Sequence, residues 1–555
     1  MSTAYDAGAR PAARAYVRRR GHLPLAAVLS TGFLGALAIA LAGAGGGSPH
    51  DPRGLWFGGD TPLGSSDHGG AAPVLTVAGL LLLVASWLVL GLLVARRYAG
   101  VRTVAVAAVL VALPLLAAPP LFSDDAGTYV AVGQLVHSGL DPYQVGWGIL
   151  GRADYAHTNA SFWAGSPSPY SPGFLRVLQL VAVLTHGSPY AGTLLLRALA
   201  VLALAASAVL LVRLQPVGSE LRAQALWLAI ANPLVLIGAL SGAHNDALMV
   251  VPLLGALLAH RSRQPVLALV LVGLAGQVKV TGLLAASVLA ADLALRQSGR
   301  ARQLGVWVGG CALSAATFSA VTLASGLGWG WVGALSVPGR ANTSATPLDA
   351  GWDVLVHLSV VAANQYAQVV NTAPGWLISV GLAVGLAVTL VLSARVRRVG
   401  VARGIALSLA AVLLLGGAFW PWYLLVPLAL LAVGGEAVER SVAAGLSVLL
   451  LFAERAGGLP RLDTHPFATD LIFLGCYAIA VAAVVLPQPR QAAGPSSEGS
   501  RRRRPCLVGS LAAGRLRVPC GWRRTGRGSP RCAANARRRS APRRRATAGD
   551  AATRP

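Results

Sequence analysis

Long apolar runs separated by short polar turns make up most of this sequence between residues 22 and 487. The first run, "LPLAAVLSTGFLGALAIALAGAG", is longer than the apolar part of a signal peptide and is followed by no clear cleavage site. About 20 apolar residues cross a bilayer as a helix, and isolated strands or loops cannot satisfy their backbone groups in lipid. The pattern therefore predicts an all-α polytopic membrane protein that keeps its first run as a helix.

Basic residues in the short turns predict the orientation, since such residues mark the cytoplasmic side. Residues 18–20 are all arginine and precede the first run, and Arg96 and Arg97 follow the second. Counting the alternations gives roughly 12–14 transmembrane helices, because runs such as 264–275 and 423–434 are short for full spans. The predicted divisions are a cytoplasmic segment 1–21, a transmembrane domain 22–487, external loops 120–171 and 327–373 within it, and a disordered Arg-rich cytoplasmic tail 488–555.

Helical spacing continues on both sides of the first external loop. It predicts a spanning helix over about 103–119 and further helices around 126–138 and 174–186. The last of these is short and follows several prolines, which favours a helix lying in the membrane interface. Because long loops either carry function or are disordered, the two external loops are the places to look for chemistry.

The formal net charge of +26 does not predict a nucleic-acid partner, because of where the charge lies. Residues 490–555 hold 18 arginines against Glu498 and Asp550, and other basic residues fall largely in short turns. Lys279 is the only lysine, so the excess of arginine partly reflects a GC-rich coding sequence. We expect contact with membrane lipids and no binding of nucleic acid.

Cysteine positions predict neither a metal site nor a disulfide framework. Cys311 and Cys476 lie in apolar runs, and Cys506, Cys520 and Cys532 lie in the tail. No CxxC pair or metal-ligand spacing occurs. The sequence therefore predicts no cofactor, with a divalent metal left open.

An acidic cluster begins the first external loop, in "LFSDDAGTYVAVG". Carboxylates beside hydrocarbon are costly, which makes Asp124 and Asp125 candidates for function. One interpretation is a helix cap, since Asp accepts hydrogen bonds from free backbone N–H groups. A cap needs only one carboxylate, and two adjacent like charges raise the pKa of one of them, as suits a proton acceptor. Base and cap therefore both stay open for this pair.

Further along the same loop, "SGLDPYQVG" places Asp141 and Tyr143 on either side of a proline, a pattern typical of a tight turn. "SPSPYSPGF" then presents Tyr170 between prolines on a stiff, extended segment. Tyr170 can line a sugar site by stacking on the sugar, and the alternative is that it only shapes the loop.

The stretch "NPLVLIGALSGAHNDALMV" sets His244, Asn245 and Asp246 between two apolar runs, at a predicted external turn. Capping of the next helix is one interpretation, and hydrogen bonding to a polar substrate is the other. No second ligand lies at a suitable spacing for a metal.

Two cations fall on the predicted external side, where the orientation rule disfavours them. Lys279, in "GQVKVTG", either snorkels to the interface or binds a phosphate as a compact point charge. Arg340, in "VPGRANTSATP", is a second candidate for the same role. Residues 419–428, "FWPWYLLVPL", predict an aromatic belt at the external interface.

These stretches, in this order and spread over about 20–490, resemble the polyprenol-phosphate-mannose-dependent α-(1→6)-mannosyltransferases of actinobacteria, which build the lipomannan backbone. The resemblance implies the GT-C membrane glycosyltransferase fold, with an essential aspartate in the first large external loop. The family pattern S-x-D-x-x-x-Y matches Ser123, Asp125 and Tyr129 here. Asp124 stands where relatives usually have arginine, so both aspartates are kept as catalytic candidates.

The implied reaction moves mannose from polyprenyl-phosphate-mannose to a growing lipid-linked mannan, at the external face of the plasma membrane. An aspartate would accept the proton of the acceptor hydroxyl, and Lys279 and Arg340 would bind the donor phosphate. No Gly-rich nucleotide motif occurs, as expected where no nucleotide sugar is present. The candidate substrate-binding residues are Tyr129, Asp141, Tyr143, Tyr170, His244, Asn245 and Asp246. The alternative function is a transporter or flippase of a lipid-linked sugar, which more often shows inverted repeats and charges at mid-membrane.

Overall fold

The computed structural model describes residues 9–45, 72–158, 163–338, 346–362, 373–453 and 466–485. The structure is 80% helical, and these described residues contain no strand. Numbered in chain order, the helices are α1 Ala9–Gly45, α2 Ala72–Ala95, α3 Val101–Ala117, α4 Asp125–His137, α5 Ala153–Thr158, α6 Pro172–Leu184, α7 Pro189–Leu214, α8 Leu221–Ala229, α9 Pro233–Leu236, α10 Asp246–Arg261, α11 Pro265–Val278, α12 Leu284–Ala294, α13 Arg300–Ser325, α14 Trp331–Ala334, α15 Pro347–Ala362, α16 Gly375–Ala394, α17 Val396–Val399, α18 Val401–Leu414, α19 Leu425–Gly434, α20 Ala437–Ala453 and α21 Pro466–Val485. The predicted tail 488–555 lies outside the described residues.

Several helices are long and apolar enough to cross a membrane. Within the described ranges there are 5 of them, or up to 6 if α8 and Pro233–Ser241, bent by 52°, form one broken span. Shorter apolar helices of 10–17 residues accompany them, among them α3, α6, α11 and α18. The chain is therefore an all-α polytopic membrane protein. The figure of 12–14 crossings stays a prediction, because the short helices do not reach the length of a full span.

The helices predicted around the first external loop are confirmed to within about two residues. The expected ranges 103–119, 126–138 and 174–186 correspond to α3, α4 and α6. Each helix begins slightly earlier than its apolar pattern does. In α6 the reason is Pro172, whose fixed φ suits the first helical position and whose missing N–H costs nothing there.

The bend after α8 follows from Asn232 and Pro233. Proline disfavours helical geometry in the residue before it, and Asn232 is extended, with φ −65° and ψ 128°. Its side chain then caps α9 by accepting a hydrogen bond of 3.0 Å from the backbone N–H of Leu234. After α9 the chain makes one turn of π-helix, Ile237–Ser241, a form found often at functional sites. This turn leads directly to His244.

Helices α4 and α6 pack closely against each other. A Cβ on Gly133 would lie only 2.1 Å from the backbone oxygen of Leu178, so glycine is needed at this crossing. Tyr129 of α4 and Phe174 of α6 are both buried in the aromatic core between them. Leu180, on the other face of α6, is exposed. The position of α6 in the membrane interface stays a prediction.

Helices α10 and α11 form an antiparallel hairpin joined by residues 262–264. Asp246 is the first residue of α10 and Lys279 directly follows α11, so the two residues lie at the same end of the hairpin. Arg261 and Arg263 lie at the opposite end, in or beside the connecting turn. The predicted basic turn and the predicted polar motifs are thus separated by the length of the hairpin.

Candidate active site

The acidic pair lies where α4 begins. Asp124 occupies the N-cap position, but its side chain makes no capping hydrogen bond. Asp125 is the first helical residue, and its backbone N–H donates to the hydroxyl oxygen of Ser123 at 3.2 Å. Ser123 therefore accepts the hydrogen bond from the backbone at the start of α4. The sequence analysis had allowed this capping role for one of the two aspartates. The Asp125 carboxylate, 17% exposed, faces a buried group of polar residues instead.

Three separate motifs meet at the Asp125 carboxylate. Its Oδ2 lies 3.3 Å from Nδ1 of His244 and accepts a long hydrogen bond of 3.5 Å from the hydroxyl of Tyr129. The hydroxyl of Tyr170 donates in turn to the Tyr129 hydroxyl at 3.5 Å. The Pro-rich segment, the acidic helix and the His-Asn-Asp turn thus contribute to one place.

The two tyrosines act there as hydrogen-bond donors. Burial raises the pKa of Tyr129 well above its usual range, and the nearby Tyr170 and Asp125 carboxylate raise it further. Burial and the charge of Asp125 likewise raise the pKa of Tyr170. Both phenols therefore keep their protons at neutral pH. The carboxylate of Asp125 accepts the hydrogen bond of Tyr129 at this point.

His244 is fixed by its neighbours on several sides. Its imidazole stacks on the indole of Trp422, with ring centroids 3.7 Å apart and an interplanar angle of 9°. A Cβ on Gly242 would lie 2.6 Å from Nε2, so the absence of a side chain there makes room for the ring. Among the described residues Nδ1 makes no hydrogen bond, because its approach to Asp125 is not aligned as one. A substrate hydroxyl entering here would meet both groups.

Asp246 and Lys279 form a buried ion pair beside this histidine. The ammonium of Lys279 donates to Oδ1 and Oδ2 of Asp246 at 2.9 and 3.2 Å. It also lies 3.2 Å from the centroid of the Tyr423 ring, as a cation–π contact. The Lys279 side chain is 14% exposed, so the interpretation as a snorkelling lysine is wrong.

These contacts define one unit, which we call the polar chamber. Its members share contacts or charge interactions with one another. They are Asp125, Tyr129, Tyr170, His244, Asp246, Lys279 and Tyr423.

Sequence reasoning missed Trp422 and Tyr423. It assigned residues 419–428 to an aromatic belt, but Trp422 is buried against His244, Phe419 is also buried, and Tyr423 lies under Lys279. The belt interpretation is therefore wrong for these rings. Pro421 opens a short 3-10 turn, Pro421–Leu424, which carries the aromatic side chains inward. A proline between two tryptophans was the available signal that this is no continuous span.

The remaining predicted residues have contacts of their own. Asp141 Oδ1 accepts the backbone N–H of Tyr143 at 2.8 Å, which confirms the predicted tight turn. The hydroxyl of Tyr143 donates to the backbone oxygen of Tyr170 at 3.1 Å and so supports that segment. Asn245 occupies an N-cap position without a capping bond, and its Nδ2 donates to Val278 at 3.4 Å. Their substrate contacts stay predictions, and Arg340 lies outside the described residues.

No metal site is visible in the part of the chain that the structure describes. That part holds no group of three or more His, Cys, Asp or Glu side chains placed to bind a metal ion. The positive charge in the polar chamber is that of Lys279. Independence from cofactors stays a prediction.

Comparison with known proteins identifies the family. The family model described as "Alpha-(1->6)-mannopyranosyltransferase, N-terminal domain" matches residues 29–295. Alpha-(1->6)-mannopyranosyltransferase A of Mycobacterium tuberculosis is 30% identical over 488 residues, which cover 81% of this chain and 89% of that protein. The chain belongs to this family. It is therefore a glycosyltransferase, as the motifs predicted.

Other mannosyltransferases are similar to this chain over shorter stretches. A probable alpha-(1->6)-mannopyranosyltransferase of Mycolicibacterium smegmatis is 28% identical over 396 residues, covering 64% of this chain and 70% of its own. Alpha-(1->6)-mannopyranosyltransferase B of Corynebacterium glutamicum is 27% identical over 336 residues, which cover 54% of this chain and 55% of that protein. No solved structure matches the chain. The segment 29–295 that matches the family contains Asp125, His244, Asp246 and Lys279.

Proposed function

We propose that this mannosyltransferase moves mannose from polyprenyl-phosphate-mannose to a growing lipid-linked mannan, and so extends an α-(1→6) backbone. The observation that carries this proposal is that a carboxylate, Asp125, and a fixed cation, Lys279, are connected through adjacent rings. Asp125 lies against His244, which stacks on Trp422, and Lys279 lies over the neighbouring Tyr423. Sugar transfer from a phosphate donor requires both a proton acceptor and a stabilised leaving group. The names of the relatives support the sugar and the linkage.

Asp125 is the base in this mechanism, with Asp124 as the second candidate. The acceptor hydroxyl gives its proton to Asp125 as its oxygen attacks the anomeric carbon of mannose. A carbon–oxygen bond to the acceptor forms, and the bond from the anomeric carbon to the phosphate oxygen breaks. Polyprenyl phosphate leaves with the electron pair. His244, whose Nδ1 lies 3.3 Å from Asp125, would orient the attacking hydroxyl.

Lys279 stabilises the leaving phosphate. An ammonium has three N–H donors, and Asp246 accepts from Lys279 with both of its carboxylate oxygens. A phosphate oxygen is proposed to take over one of the N–H donors that now point to Asp246 or to the Tyr423 ring. Because Asp246 and Tyr423 hold the ammonium before substrate binds, little reorganisation is needed when negative charge develops. Arg340 is proposed as a second phosphate ligand.

The site is proposed to face the outside of the plasma membrane. Asp246 and Lys279 lie at the end of the α10–α11 hairpin opposite to Arg261 and Arg263. Basic turns mark the cytoplasmic side, so the polar chamber belongs to the external side. A lipid-linked donor suits that location, since it stays in the membrane that anchors the enzyme.

The test is transfer in membranes that contain the full chain. Labelled polyprenyl-phosphate-mannose is supplied with a defined α-(1→6) oligomannoside, and the linkage of the product is determined. We expect one or more mannose units added in α-(1→6) linkage, and transfer reduced by about 100-fold or more in matched membranes that carry Asp125→Asn. Movement of the labelled lipid across the bilayer without product would favour the flippase. Transfer from a nucleotide sugar alone would overturn the proposed donor.

A further inference from the structure

Arg197, on α7, is buried beside the two segments that lead into the polar chamber. Only 1% of the residue is exposed. Its Nη1 donates to the backbone oxygens of Leu116 and Ala118 at 3.0 and 2.6 Å, and its Nη2 donates to that of Ser241 at 3.0 Å. A guanidinium is planar and presents its donors in a rigid fork. It therefore holds the carbonyls of these two segments at a fixed spacing.

Ser241 makes the second half of this connection. Its hydroxyl oxygen accepts the backbone N–H of Leu121 at 2.8 Å, and the hydroxyl donates to the backbone oxygen of Pro119 at 3.4 Å. Leu121 precedes Asp125 by four residues, and Ser241 precedes His244 by three. The two segments are thus joined just before the residues that would carry the chemistry.

The backbone between this connection and the chamber is strained on both sides. Phe122 has φ 63° and Ala243 has φ 52°, values that residues other than glycine rarely adopt. Such conformations persist only where surrounding contacts determine them. The hydrogen bonds of Arg197 and Ser241 lie one or two residues before these positions and supply contacts of that kind.

We propose that Arg197 and Ser241 are positioning residues, which set the spacing between Asp125 and His244 without touching substrate. The proposal rests on the proposed function, in which Asp125 is the base. Asp125 Oδ2 and His244 Nδ1 are 3.3 Å apart, although the two residues belong to segments from different parts of the chain. Loss of the connection lets these loops separate, and a misplacement of about 1 Å can cost on the order of 100-fold in rate.

The first experiment compares Arg197→Lys with the parent enzyme in the transfer assay, per amount of inserted protein. Lysine keeps the charge but donates from a single atom, so it cannot join all three carbonyls. We expect kcat to fall by about 30- to 100-fold, while the KM for the lipid donor changes by less than about threefold. Arg213→Lys is the matched control, because Arg213 lies exposed in the last turn of the same helix. It should behave as the parent.

A double-mutant cycle separates positioning from general support of the fold. If Arg197 acts through Asp125, adding Arg197→Lys to Asp125→Asn should lower the residual rate by less than about threefold. An equal loss in both backgrounds would overturn the proposal. So would an Arg197→Lys enzyme whose rate per amount of inserted protein equals that of the parent.

Ser241 gives a second route if Arg197→Lys fails to insert. We expect Ser241→Ala to lower kcat by about tenfold and Ser241→Thr, which keeps the hydroxyl, to recover most of it. Equal rates for the parent and Ser241→Ala would overturn the role of Ser241. A parent enzyme without any transfer would instead contradict the proposed function, whereas an active parent with unaffected variants contradicts only this inference.

Discussion

The imidazole of His244 lies flat against the indole of Trp422, with their ring centroids 3.7 Å apart. The two residues come from distant parts of the chain, the turn before α10 and the 3-10 turn before α19. A stacked ring has its plane fixed, and the plane of His244 decides where Nδ1 points relative to Asp125. The aromatic segment is therefore part of the candidate active site and not a border to lipid.

The first prediction concerns this stack. Trp422→Leu should lower kcat by about tenfold, because the imidazole loses a contact worth about 0.5–1.5 kcal/mol beyond its buried area. Trp422→Phe should lose less, since a smaller aromatic face remains. Steady-state kinetics in membranes measure both variants. Trp376→Leu serves as the control, because that indole is 64% exposed. An unchanged rate for Trp422→Leu would remove the stack from the site.

The second prediction separates the two aspartates. Asp125→Asn should lower transfer by about 100-fold or more, because an amide of the same size cannot accept the proton of the acceptor hydroxyl. Asp124→Asn should show a milder loss, because the base remains in place. Donor binding and insertion should stay close to those of the parent. The reverse order of effects would assign the base to Asp124.

The third prediction uses the buried ion pair. Lys279→Gln leaves the Asp246 carboxylate buried without its cation, and removing one partner of such a pair costs about 3–5 kcal/mol. We expect lower thermal stability in detergent together with a raised KM for the donor. Adding Asp246→Asn should restore much of the stability, because no unpaired charge remains, but not the use of the donor. Full recovery of transfer in the double variant would exclude Lys279 as a phosphate ligand.

The fourth prediction follows from the raised pKa of Tyr129 and Tyr170. A group whose pKa is raised in the folded state keeps its proton as the pH rises, so both hydroxyls remain donors through alkaline conditions. Tyr129→Phe should therefore lower kcat by a similar factor, about 2- to 10-fold, at every pH from about 6 to about 9.5. pH–rate profiles of the two enzymes check this. A variant that loses an alkaline limb present in the parent would show that Tyr129 titrates in the reaction.

The fifth prediction tests the orientation of the chain. In a background without the native cysteines, Asp141→Cys should react with an impermeant thiol reagent in intact cells, because its loop is predicted to be external. Arg263→Cys should react only after the membrane is opened. Asn342→Cys, in the second predicted external loop, should behave like Asp141→Cys. Labelling of Arg263→Cys in intact cells would invert the proposed topology.

Charges near apolar runs explain why part of the site could be predicted from the sequence. Asp125, Asp246 and Lys279 stand out because ionisable residues are rare and costly in such surroundings. The pairing of Asp246 with Lys279 could not be predicted, because it depends on how the α10–α11 hairpin closes. The sequence offered each residue as a separate candidate, and only the structure joins them.

The contacts of Trp422, Tyr423 and Arg197 could not be predicted from the sequence. Trp422 and Tyr423 have the composition of an interfacial belt, and nothing local distinguishes a ring that faces lipid from one that faces a histidine. Arg197 interrupts the apolar run of α7, but helix composition alone does not reveal which carbonyls its guanidinium meets. The number of spans was also out of reach, because Pro233 marks a break but does not show whether α8 and Pro233–Ser241 cross the membrane as one span.

The Asp246–Lys279 pair also bears on how the protein is made. Helices α10 and α11 are consecutive and joined by a short turn, so they can enter the membrane together as a hairpin during translation. Their opposite charges then meet when the hairpin closes. A nascent chain with only one of the two would bring an unbalanced charge to the insertion machinery. We therefore expect the pair to aid biogenesis as well as catalysis.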